Sequence, residues 1–282
     1  MPHTKSHTCL PRLLVLSLSL LFLTACAVFR TELPLRIALL APFEGRYREV
    51  GYNAYYAMRL AFADAGLNVE FLPVDDGGSM STAVERAQAL VLDPQVHIAL
   101  LMGYAATAAE TLQAFGDVPL LVVGHWSAQP TRDGVFMLAS VELDALITVP
   151  FAAVTDPIPD TPISGGEVFA LAQFPLLHES LAGITIVSSA RLPDAAFRAR
   201  YLASAEFAPE PGLLAMLAYD AARLTLQAVE GSATRTEVAQ HLANMTYEGL
   251  NGTIRFEDGY WANAPIHTYA YDANRQLIEP QP

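Results

Sequence analysis

Four short apolar runs constrain this chain more than any other feature. They lie at residues 37–41, 69–74, 96–102 and 118–123, and each has the length of a strand. The run at 69–74 alternates and suits a strand nearer an edge. The others are continuous, as strands buried on both faces are. Helical patterns separate them. Val50, Ala54, Ala57, Met58 and Ala61 fall on one face of a helix that Gly66 ends. Thr82 with Glu85, and Thr107 with Glu110, have the spacing of capping boxes that open two more helices, the first stopped by Asp93-Pro94. Strand and helix alternate with short loops, which predicts a parallel sheet with right-handed crossovers. Ligands of such sheets sit in the loops that leave the carboxyl ends of the strands. The polar loop 43–49 is the first such loop. Its Arg46, Tyr47 and Arg48 also fit a solvated connector.

The pattern changes after Gly124. Residues 135–139 and 184–188 read as strands, and between them Pro150, Pro157, Pro159 and Pro162 break any periodicity. Regularity returns at Pro211-Gly212, which starts a helix with Leu214, Leu217, Ala221, Leu224 and Ala228 on one face. Thr234 and Glu237 form a third capping box. Residues 253–256 and 266–271 read as two strands of a hairpin around Glu257-Asp258-Gly259.

The first residues read as an export signal. Lys5 and Arg12 precede an apolar block at 13–23, shorter than the ~20 residues that span a bilayer. Leu23-Thr24-Ala25-Cys26 resembles the bacterial lipobox. That resemblance implies cleavage of a signal peptide (1–25), a diacylglycerol on Cys26, a tether at 26–34 and a folded part outside the cytoplasm, held at a membrane. The other cysteine, Cys9, belongs to the leader, so the mature domain has no disulfide, thiolate metal site or cysteine nucleophile. Lys5 is the only lysine. Without Lys5 and Arg12, 14 of the 16 basic residues face all 29 acidic ones, a net charge of −15. Such a surface repels nucleic acid, which is excluded as a partner.

Several stretches in order resemble the type I periplasmic binding proteins of the branched-chain amino-acid class, the ligand receptors of ABC importers. They are the opening strand and Pro42-to-Gly51 loop, Asp75-Asp76 with the helix at 83–92, and 102–111 with Pro119-Leu120. Leu181-Ala-Gly-Ile184, Phe197 to Tyr201, Tyr219-Asp220-Ala221 and Glu248 to Gly259 continue the series. The resemblance implies an α/β fold of two Rossmann-like lobes with parallel sheets. One lobe would take 35–124 and 188–250, the other 125–187 and 251–282. The second is reduced, because the span from Gly124 to Leu181 is short for the family.

The family holds a small polar ligand with the loops after its third and fourth strands. By position these are Tyr104, Ala105, Ala106 and Thr107, then Trp126 and Ser127. Tyr47 would face Trp126 across the cleft rim, and Asp220 would be structural. Thr107 is equally explained as a helix cap. The implied function is that of a receptor presenting an amino acid, amide or small carboxylate to an ABC permease, without cofactor or metal. A sensor or scaffold lipoprotein without an import role is the alternative, motivated by the short second lobe. Enzymatic activity is not expected. No G-x-S-x-G surrounds a serine, no histidines have metal-ligand spacing, and no G-x-G-x-x-G follows the first strand.

Overall fold

The computed structural model describes residues 35–66, 69–149 and 162–280. The leader, Cys26 and the tether lie outside the described residues, as does most of the proline-rich segment. Residues 35–282 form one compact unit.

The apolar runs form the expected strands. A large sheet contains β1 (Arg36–Ala41), β2 (Glu70–Asp75), β3 (Val96–Leu101), β4 (Leu120–Val123) and β5 (Val135–Leu138), all parallel, in the order β2-β1-β3-β4-β5. Ile37 to Ala41 and every residue of β3 and β4 are buried, whereas the outermost strand β2 is only partly covered. A second sheet starts with β6 (Ile163–Gly165) and β7 (Ile184–Ser188), which are parallel. Two short strands, β8 (Tyr247–Gly249) and β9 (Gly252–Ile254), pair as a hairpin. Next, β10 (Phe256–Glu257) and β11 (Tyr260–Trp261) extend the large sheet beside β5, and β12 (His267–Tyr271) and β13 (Leu277–Ile278) join the second sheet antiparallel beside β7.

The sheets divide the chain elsewhere than the sequence suggested. Strands β5, β9, β10 and β11 lie in ranges expected in the second lobe, yet β5, β10 and β11 belong to the large sheet. The second sheet is mixed rather than parallel. The turn at Glu257-Asp258-Gly259 joins β10 to β11, not residues 253–256 to 266–271, because Phe256 pairs with Trp261. The chain leaves the large sheet after β5 at 139–149, and passes between the sheets again at 189–194 and 262–266. Ala139, Leu143 and Val187 pack there with Ile147 and Ile266 in a small apolar cluster of their own.

The helix Arg48–Ala65 buries the five residues expected to face inward, and Gly66 caps it at φ 65° with its N–H on the Phe62 carbonyl. Its main helical neighbour is Leu213–Val229, whose residues are buried nearly all round, Arg223 and Gln227 excepted. Each fully buried leucine there contributes about 1.5–3 kcal/mol. The capping box of Thr234 and Glu237 is present. The other two are not. Ser79, not Thr82, caps the helix Met80–Val91, accepting the Thr82 N–H at 3.2 Å. Thr107 ends a short helix, Tyr104–Thr107, and its hydroxyl donates to the Gly103 carbonyl at 2.8 Å. Ala108, without a side-chain cap, precedes the next helix, Ala109–Ala114.

Candidate functional site

The sheet order reverses between β1 and β3, so their carboxyl ends flank the place where loops diverge and ligands of such sheets collect. Three segments meet there. Gly103, at φ 95°, leaves β3; a side chain on it would bring Cβ to 2.7 Å from Pro42 Cδ, so glycine lets the two loops touch. The Phe43 N–H donates to Asp75 Oδ1 at 2.7 Å. Asp76, 1% exposed, accepts the Gly78 N–H at 2.8 Å and a further hydrogen bond from the backbone of Ala106. Burial is the main force raising its carboxyl to about 6; the neighbouring Asp75 adds to it, and the backbone hydrogen bonds oppose it.

The loop after β4 forms the other wall. Gly124 turns it at φ 86°, and the Trp126 indole N–H donates to the Val123 carbonyl at 2.7 Å, which fixes the buried ring. Ser127 follows with φ 55°, a left-handed conformation uncommon outside glycine. Between this loop and the helices after β3 lies a cavity of about 470 Å³. Tyr104, Thr107, Trp126 and Ser127 line it, so the structure brings together four of the expected residues. Met80, Glu110, Gln129 and Thr131 complete its polar and thioether surface.

Three expected residues are placed otherwise. Ala105 and Ala106 are buried and do not line the cavity. Tyr47 closes the turn Gly45–Tyr47 before the first long helix, which folds it back against the core, half-buried and away from the cavity lining. Thr107 lines the cavity, but its hydroxyl proton is used on Gly103. A second cavity, about 970 Å³, lies at the opposite ends of β4 and β5 beside the helix Arg235–Asn244. Its Arg235 is bound to the carbonyls of Val91, Asp93 and Val96 and to Asp117, a structural role.

Two further carboxylates had no signature in the sequence. Glu49, in the first turn of Arg48–Ala65, accepts the N–H groups of Ala172 and Gln173 at 2.6 and 3.2 Å, and the Gln173 amide donates to the Arg46 carbonyl at 2.5 Å. Burial raises its carboxyl, against those hydrogen bonds. Glu167, 1% exposed, accepts from Ser188 Oγ at 2.7 Å and from the His125 N–H at 3.2 Å. The polar loop after β1 and the loop after β4 are thus held by residues 167–173, which follow β6. Partners 21 to 124 residues away leave no local motif. Asp220, fully buried, is structural, as expected. It accepts the Leu250 and Asn251 N–H groups and the Asn251 side-chain amide.

No protein-family profile matches the sequence, and no curated protein is similar enough to count as a relative. Solved structures do match. The branched-chain amino acid transporter substrate-binding protein LivJ of Streptococcus pneumoniae, in complex with isoleucine, gives a TM-score of 0.65 at 16% identity, covering 88% of this chain and 100% of that one. A solute-binding protein of an ABC transporter from R. palustris, in complex with benzoate, gives 0.66 at 15% identity, with 87% and 95% covered. The fold is that of the type I periplasmic binding proteins. The leucine-binding protein LivK of Thermotoga maritima, at 0.65 and 14% identity, covering 88% and 98%, has it too. In the type I fold of this chain, the described residues contain no group of three or more His, Cys, Asp or Glu able to hold a metal ion, and no helix long and apolar enough to cross a membrane.

Proposed function

We propose that the chain is an extracytoplasmic, lipid-anchored solute-binding protein that presents a small polar ligand to an ABC importer and performs no chemistry itself. The observation that carries this reading is the 470 Å³ cavity at the carboxyl ends of β3 and β4, where Tyr104, Thr107, Trp126 and Ser127 converge. Its size lies within the ~300–1,000 Å³ of small-molecule sites. The ligand belongs with amino acids, amides and small carboxylates, and the lipobox-like Leu23-Thr24-Ala25-Cys26 supports anchoring through Cys26. A thermal-shift screen of amino acids, amides, small carboxylates and amines tests the reading, since a ligand that binds only the native state raises its melting temperature. The expected result is a shift with at least one class that Trp126→Ala abolishes. No shift with any class rejects the reading.

One observation favours a second reading, a sensor or scaffold without import. Residues 167–173 already bind the strand-end loops through Glu49 and Glu167, and the four strands that the second sheet has among the described residues fit a reduced lobe. A protein of this kind gives no shift in the screen, and copurifies with a membrane partner other than a permease.

A further inference from the structure

The lining of the 470 Å³ cavity carries charge of one sign. Glu110 is the only charged residue in its lining; no arginine lines it. The Glu110 carboxylate is exposed and makes no hydrogen bond or ion pair among the described residues. The remaining lining polar groups are the hydroxyls of Tyr104, Thr107, Ser127 and Thr131 and the amide of Gln129, which are neutral. On the short helix Tyr104–Thr107, the backbone of Ala106 is bonded to the buried Asp76. A ligand carboxylate therefore meets the Glu110 carboxylate with no cation in the lining to offset it, and the backbone of Ala106, on the short helix before it, is already engaged by Asp76. Aromatic rings of Tyr104 and Trp126 stand in the same lining, and ring faces attract cations by about 0.5–2 kcal/mol.

We propose that this cavity selects a ligand with a positive charge and no carboxylate: an alkyl or aryl amine, its ammonium held by Glu110 beside Tyr104 and Trp126. The proposal rests on the solute-receptor reading and puts an amine in place of the amino acids, amides and small carboxylates named there. Amino acids then bind poorly, because their carboxylate adds repulsion that no lining arginine offsets.

Matched ligands test it. Isopentylamine, leucine and 4-methylpentanoate share one apolar body and differ in charged groups. They are titrated calorimetrically into the full chain in mild detergent, with phenethylamine and phenylalanine as an aromatic pair. The amines are expected to bind at least tenfold tighter than the matching amino acids. Glu110→Gln is expected to weaken amine binding at least tenfold while leaving the melting temperature of the unliganded protein unchanged. Leucine or 4-methylpentanoate binding as tightly as the amine overturns the charge inference and leaves the receptor reading intact. Equal amine affinity in Glu110→Gln also overturns it. Absence of heat with both amines overturns it too; the receptor reading falls with it only if the wider thermal-shift screen is also blank.

Discussion

Asp76 is a carboxylate in an unfavourable place. It is 1% exposed, beside Asp75, and two backbone N–H groups do not offset its burial, so it titrates at about 6 against 3.8 for an ordinary aspartate. Between those values the native protein holds the proton more tightly than the unfolded chain does. Its contribution to stability is therefore greatest below pH 3.8 and is lost as the pH rises through 6, a change of roughly 3 kcal/mol. Asp76→Asn removes that slope and keeps an acceptor oxygen for one of the N–H groups. Urea denaturation at pH 4, 5, 6 and 7 is expected to show the variant gaining on the parent as the pH rises. A difference that stays constant with pH rules out burial as the cause.

At the scale of elements, the polar loop 43–49 and the helix after it are tied to residues 172–173 by one side chain. Glu49→Ala leaves the Ala172 and Gln173 N–H groups without their acceptor. Amide exchange at 171–177 is expected to rise by tenfold or more, while β1 and the interior of Arg48–Ala65 keep their protection. Unchanged exchange at 171–177 shows that the clasp holds nothing. The central elements were legible in the sequence because their signals are local: continuous apolar runs for β1, β3 and β4, a shared apolar face and Gly66 for the first helix, Thr234 and Glu237 for another. The spacing of a capping box at Thr82 and Thr107 does not mark a cap, because the same spacing occurs inside a helix, as at Thr82 and Glu85, and across the break between two, as at Thr107 and Glu110. Ser79 had already taken the first cap, and Thr107 bonded back to Gly103. Of the cavity, Tyr104, Thr107, Trp126 and Ser127 followed from their places after β3 and β4. Tyr47 did not, because a single turn of backbone at 45–47 decides which way it points, and no side-chain pattern records that turn.

Across the whole molecule, two sheets are joined where the chain passes between them, and buried polar groups fix those passages. The Ser140 N–H donates to Ser189 Oγ at 2.9 Å, linking the first passage to the second. Asp220 holds the turn at Gly249–Gly252, and Asn251 in that turn accepts the Arg191 N–H at 2.9 Å, so one carboxylate supports the second passage as well. A Cβ on Gly249 would lie 2.6 Å from Asp220 Oδ2, a measure of how closely the turn sits on it. Asp220→Ala removes an acceptor from three donors, two of them buried, and is expected to lose on the order of 3 kcal/mol in chemical denaturation. A loss under about 1 kcal/mol shows that the turn finds other partners.

The clasp of Glu49 on Ala172 and Gln173 also bears on affinity. Suppose a ligand reaches the strand-end loops only when residues 167–173 have moved off them. Its measured dissociation constant is then the intrinsic one divided by the fraction of molecules in the parted arrangement. A clasp that leaves one molecule in ten parted weakens apparent binding about tenfold. Glu49 would thus set how tightly the protein binds without ever touching what it binds.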